Sequence, residues 1–283
     1  MNWIEPKIES IVTSDVIFYS KEYADTCARI CTTLGIDIVP DASGETYWQF
    51  QNGKWSSNPI DADQKVDIRR NIFDQSVLKS MELSPSNLLF AFDNEKLCGI
   101  VHFTNYNVLE VYQALYQNFF NFETALRNHL NTFGFDIQSF RDYFQYQHKK
   151  DSKDNYFVEK IKSLNSDKTI KSAEQVGILQ VLYLSDLLGF SKSRWLEPEI
   201  KSKIGLSGIE SEKIAKLRNV IMHAKYFTRE SIEEDYNFAT FKNFFSLIIA
   251  FRNAFNTLNN VSTLRQLEGL DAAQLKSYFY NRI

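Results

Sequence analysis

The chain has 283 residues, 44% of them hydrophobic, and carries a net charge of −3 at pH 7. That length accommodates one large domain or two ordinary ones with real cores. The mild acidity excludes a protein that coats nucleic acid with its whole surface, but not a local basic patch.

The N-terminus, Met1-Asn2-Trp3-Ile4-Glu5-Pro6, lacks the basic-then-apolar pattern of a secretory signal. No apolar run reaches about eighteen residues, so no membrane span is expected, and the expected address is the cytoplasm. Ile11-Val12 and Val16–Tyr19 are short β-branched and aromatic runs, and Lys21–Leu34 has helical spacing that Gly35 ends. Its Cys27 and Cys31 share a helix face without further ligands at zinc-like spacing. With Cys98 they read as free thiols of a reducing compartment, and no metal or other cofactor is expected. Ile36–Pro40 and Thr46–Phe50 read as strands, Gln51-Asn52-Gly53-Lys54 as a hairpin turn and Ser56–Val66 as a loop. A second copy of the pattern follows, with a short helix over Ser76–Met81 and strands at Leu88–Phe92 and Leu97–Phe103. Residues 1–107 thus read as an α/β domain of two tandem βαββ units. The tryptophans flanking the first hairpin, Trp48 and Trp55, read as packing residues before a base-stacking site.

From Val108 the pattern turns helical, and residues 108–283 read as an all-α bundle of about five main helices, giving an α+β, multidomain chain. Helices are expected over Val108–Phe133, Asp136–His148, Asn155–Leu164, Ser172–Phe190 and Glu212–Tyr226, the last with Ser211 as N-cap. Pro198 and Gly205–Gly208 mark a loop region. A long aromatic helix over Ile232–Asn259 and a short one over Asp271–Asn281 close the chain.

Three side chains suited to phosphate chemistry stand close together in Leu217-Arg218-Asn219-Val220-Ile221-Met222-His223. On a helix they cover an arc of about 140°, at about 100° per residue, too wide for one small pocket. Such an arc suits a groove where two copies of the helix meet across a two-fold axis. Histidine moves protons near neutral pH, and arginine grips a phosphate with two prongs and stabilises its developing charge. RNA cleavage by its own 2′-OH needs these groups and no metal. Lys201–Arg229 holds seven basic residues against two acidic ones, and Lys213, Lys216 and Lys225 are the expected RNA contacts. An arginine and a histidine with four to six residues between them are a weak signal alone: Arg141 and His148, with six between them, also fit it and read as a solvated helix end.

Arg218 through His223 resembles the signature of HEPN domains: an arginine, a polar neighbour, then a histidine after a short gap. The resemblance covers about residues 109–260, and Glu123 and Arg127 look like part of a HEPN first helix. It implies a homodimer whose paired motifs form a metal-independent endoribonuclease of the kind found in toxins and antiviral defence. It also implies His223 as general acid and base, Arg218 as phosphate ligand, Asn219 as positioning group, and Glu123 with Arg127 behind them. A surface ion pair is the plain reading of the last two.

Leu88–Asn107 resembles the end of a CBS motif: an apolar strand, an acidic turn, then Gly99-Ile100-Val101 with polar residues following. Paired CBS motifs form a Bateman module, which implies an adenine-nucleotide site gating the helical domain. The family's ribose-binding positions are occupied here by His102 and Asn105, and the first copy, ending in Gln51-Asn52, lacks the glycine motif. The expected partners are therefore RNA, a second copy of the chain and an adenine nucleotide; a neutralising antitoxin is not identifiable. The alternatives are a non-enzymatic nucleotide-sensing or dimerisation protein, and an RNA-binding protein without catalysis.

Overall fold

A computed structural model describes residues 2–222 and 238–280. The fold is α+β, predominantly helical with two small sheets. The chain divides into an α/β unit, residues 4–115 with the stretch up to Phe245, and a helical unit beginning at Tyr116 and joined by Trp3. Among the described residues no helix is long and apolar enough to cross a membrane.

In the α/β unit, α1 (Ala24–Leu34) buries Cys27 and Cys31 as free thiols and ends at left-handed Gly35. Strands β1 (Ile38–Pro40), β2 (Thr46–Gln51) and β3 (Lys54–Pro59) form an antiparallel meander. The β2–β3 turn is Asn52-Gly53, both with positive φ, as the two-residue hairpin requires. The second sheet runs β4 (Lys65–Asp67), β5 (Leu88–Asp93), β6 (Lys96–His102). Here β4 and β5 are parallel and bridged by α2 (Gln75–Leu83), while β5 and β6 form a hairpin. Ile38, Tyr47, Ile60, Leu88, Phe90 and Leu97 make one core from both sheets.

Two expectations are corrected. The tandem repeat does not hold in strand order: the second half is βαββ, but the first is αβββ. Residues 11–19 form no strand: Thr13 bridges Ile100 of β6, and the Tyr19 backbone N–H donates to the Pro40 carbonyl of β1. The expected loop over Ser56–Val66 opens with the second half of β3, a polar edge strand with Ser56 and Ser57 exposed where apolar alternation is not required, and ends in β4, with a 3₁₀ turn over Ala62–Gln64 between them. Gly99 has a local purpose. A Cβ there would lie 2.5 Å from the Thr13 carbonyl oxygen, so only glycine lets the N-terminal segment close on β6.

In the helical unit, α3 (Leu109–Asn131) and the long α11 (Phe238–Leu267) supply the aromatic core. Phe119 stacks on Phe251 at 3.9 Å, and Phe122 and Trp3 meet Phe251 edge-on at 5.4 and 5.3 Å. Between them run α4 (Ile137–Lys150), α5 (Asn155–Leu164), α6 (Asp167–Val176), α7 (Ile178–Val181), α8 (Leu184–Lys192), α9 (Pro198–Ile204) and α10 (Ser211–Met222). Asp136, Asp154 and Ser166 cap α4, α5 and α6. A short α12 (Ala272–Tyr280) follows.

The single helix expected over Ser172–Phe190 is three. Gly177, at φ 86°, ends α6, and the Asp186 carboxylate, accepting from the Tyr183 backbone N–H at 3.1 Å, starts α8. The region of Pro198 contains α9, opened by that proline and ended by left-handed Gly205. Arg141 is not a solvated helix end: its Nη2 donates to the Leu164 carbonyl at 2.8 Å, capping α5.

Candidate functional site

Ile214, Leu217 and Ile221 recur at helical spacing and form the buried stripe of α10. Arg218 stands at the edge of that stripe and is half-buried; Asn219 and Val220 face solvent. Arg218 and Asn219 line a recess of about 200 Å³ together with Ala215 of α10 and Tyr183, Leu184 and Ser185 at the start of α8. The first backbone N–H groups of a helix have no intrahelical partner and carry the positive end of its dipole. A guanidinium facing a helix start makes a recess suited to an anion. Arg218 Nε is buried and has no hydrogen-bond partner among the described residues. His223 and Lys225 lie outside the described residues.

A buried polar network holds the opposite wall. The Asp186 side chain is 1% exposed and accepts from Lys160 Nζ at 2.6 Å, from the Tyr156 hydroxyl and from the Tyr183 backbone N–H at 3.1 Å. Burial, reinforced by the Asp186 carboxylate, pushes the Tyr156 phenol well above its usual range, so it stays a donor. Lys160 Nζ also lies 4.0 Å from the centre of the Tyr183 ring. Tyr183 is therefore an exposed ring fixed by its neighbours, in a position to stack on a base.

Glu123 and Arg127 form an ion pair at 3.2 Å, part-buried rather than on the open surface. They do not line the recess. Arg127 acts on it through the backbone, donating to the carbonyls of Leu179 and Leu182, the end of α7 directly before Tyr183.

The basic patch is weaker than the charge count indicates. Lys213 is paired with Glu210 at 2.7 Å, and Lys192 Nζ donates to the Ile209 carbonyl. Lys192, Glu210 and Lys213 line a second recess of about 570 Å³, which shares Ser185 and Ala215 with the first, so a groove runs between α8 and α10. Lys216 is exposed.

In the α/β unit, His102 and Asn105 are engaged with each other. The Asn105 side-chain oxygen accepts from the His102 backbone N–H at 2.7 Å, and its amide donates to Thr13 at 3.0 Å. His102 Nδ1 lies 2.9 Å from the Thr104 hydroxyl, and His102 and Asn105 cap a short 3₁₀ turn, Phe103–Tyr106. Burial lowers the His102 pKa below the usual histidine value. Trp48 is stacked by Tyr19 at 4.1 Å, and Trp55 donates to the Ala24 carbonyl, so both are packing residues.

Sequence reasoning missed Tyr183, Lys160 and Asp186. The available signal was Asp186 itself, an acid inside the leucine-rich run Leu182-Tyr183-Leu184-Ser185-Asp186-Leu187-Leu188. No model of a known protein family matches the chain, and no curated protein or solved structure shows significant similarity to it.

Proposed function

We propose that the chain is a metal-independent endoribonuclease that works as a homodimer. Arg218 grips the scissile phosphate, Asn219 positions it, and His223 moves the protons of attack by the neighbouring 2′-OH. The observation that carries this reading is the Arg218 recess: a half-buried guanidinium whose Nε has no partner among the described residues, opposite the start of α8. Both features favour a phosphate, and the exposed Tyr183 ring supplies a platform for the adjoining base. The resemblance of Arg218 through His223 to the HEPN signature supports the same chemistry. A nucleotide-gated role for the α/β unit draws less support, because the Asn105 side chain is taken up by the His102 backbone N–H and by Thr13, and the His102 ring by Thr104.

The test is incubation of the pure chain with end-labelled RNA, with and without EDTA. The reading requires products ending in 2′,3′-cyclic phosphate, the same rate in EDTA, and no cut where the attacking sugar is 2′-deoxy. Cutting at a 2′-deoxy position would remove it, since the internal nucleophile would then be absent.

A further inference from the structure

The N-terminal segment of the α/β unit runs along three of its sheet edges. Thr13 exchanges two backbone hydrogen bonds with Ile100 of β6, at 2.9 and 3.1 Å. The Tyr19 N–H donates to the Pro40 carbonyl of β1 at 2.9 Å. The N–H groups of Ile8 and Glu9 donate to the carbonyls of Arg70 and Ile68, just past β4. The remaining edge is β3, which pairs with β2. Among the described residues no backbone hydrogen bond reaches its outer side. An edge left bare in this way is a template for another strand.

The outward groups of β3 follow from its register. Gln51 and Lys54 flank a two-residue turn, so they form a hydrogen-bonded pair, and Gln49–Ser56 and Tyr47–Asn58 do so in alternation. Trp55 and Ser57 therefore aim their N–H and C=O groups away from β2. When two copies of β3 lie antiparallel and centred on Ser56, Trp55 of each stands against Ser57 of the other. Each such pair exchanges both of its hydrogen bonds, and every outward group of the two residues is satisfied.

The side chains fit that register. Ser57 is small and exposed, which leaves room for the half-buried Trp55 ring of the other copy. Ser56 stands opposite Ser56. Lys54, the one charged residue of β3, stands opposite Asn58, so no like charges meet. Lysine and proline are residues that blunt an edge against pairing. In β3 they stand at the two ends, Lys54 and Pro59, and leave Trp55 to Asn58 uncharged and free of proline. They bound the open stretch rather than close it. Any extended strand can bond the backbone groups; a second copy adds the match of ring to small side chain and of ammonium to amide.

We propose that β3 pairs with β3 of a second copy across a two-fold axis, joining two three-stranded sheets into a continuous one. The contact lies in the α/β unit and does not depend on the Arg218 motif or on RNA cleavage. Sedimentation velocity of the full chain tests it, together with amide exchange read by NMR. Ser56→Lys sets two ammonium groups face to face beside two copies of Lys54, and is expected to halve the mass of the assembly. Mixed in equal amount with Ser56→Glu, it is expected to regain the wild-type mass, which a misfolded variant does not do. Ser57→Pro removes an outward N–H and no bond to β2, and is expected to halve the mass as well. The N–H groups of Trp55 and Ser57 are expected to exchange slowly in the wild type and fast in Ser56→Lys. The proposal is overturned if either single variant keeps the wild-type mass, if the mixture does not restore it, or if those N–H groups exchange at the same rate in the wild type and in Ser56→Lys.

Discussion

Arg127 donates two hydrogen bonds, each 3.1 Å, to the carbonyl of Leu182, the residue directly before Tyr183. One side chain of α3 thus fixes the backbone from which the wall of the Arg218 recess projects. Glu123 holds the same guanidinium at 3.2 Å. Arg127→Ala leaves the Leu179 and Leu182 carbonyls without this donor and Glu123 without its cation. A loss of about 2–4 kcal/mol in unfolding free energy is expected by urea denaturation. Arg127→Lys is expected to recover only part, because an ammonium cannot reproduce the fork. Equal stability of Arg127→Ala and the wild type would show that the cap contributes nothing.

Asp186 and Lys160 form a buried pair whose members depend on each other. Asp186→Asn leaves the largely buried Lys160 ammonium uncompensated, at a cost of about 3–5 kcal/mol. The double variant Asp186→Asn with Lys160→Met removes the stranded charge. It should be more stable than Asp186→Asn alone, a coupling that a double-mutant cycle measures directly. Strict additivity would mean the pair is not coupled.

Gly99 permits a close approach that any side chain would block. Gly99→Ala puts a methyl carbon 2.5 Å from the Thr13 carbonyl oxygen and from a Val12 methyl. Overpacking of this kind costs about 1–3 kcal/mol. Gly208→Ala, with no neighbour within 4 Å, is the comparison and is expected to be near neutral. Thermal melts of the two variants separate these outcomes: a shared Tm would contradict the close contact.

Acidification is expected to destabilise the fold through His129 and His102. Burial lowers the pKa of both below the ordinary histidine value of 6.5. The unfolded chain then binds more protons than the folded one between the lowered values and that ordinary value. Unfolding free energy should therefore be level above about pH 7 and fall as pH drops through the window beneath 6.5. His129→Asn should flatten part of that slope. A stability that rises on acidification through this window would contradict the burial of both rings.

Local chemistry made some of this structure readable in advance. Asn52-Gly53 marked its hairpin because both positions need positive φ, and α5 matches its expected span because Asp154 caps it. The leucine spacing over Ser172–Phe190 concealed two breaks, since apolar residues on neighbouring short helices can keep a helical period across Gly177 and Tyr183. Strand β3 was invisible because an edge strand facing water needs no apolar alternation. Arg218 and Asn219 were legible from residue type. Their wall was not: Tyr183 and Asp186 come close to α10 only through tertiary packing, which spacing along the chain does not encode.

The most direct test of the central claim is the rate of RNA cleavage by Arg218→Ala and His223→Ala against the wild type, with circular dichroism confirming that each variant is folded. Loss of a group that stabilises transition-state charge, or of a general acid–base, should slow cleavage by about 10²–10³-fold or more. Cleavage by either folded variant at the wild-type rate would contradict the assignment.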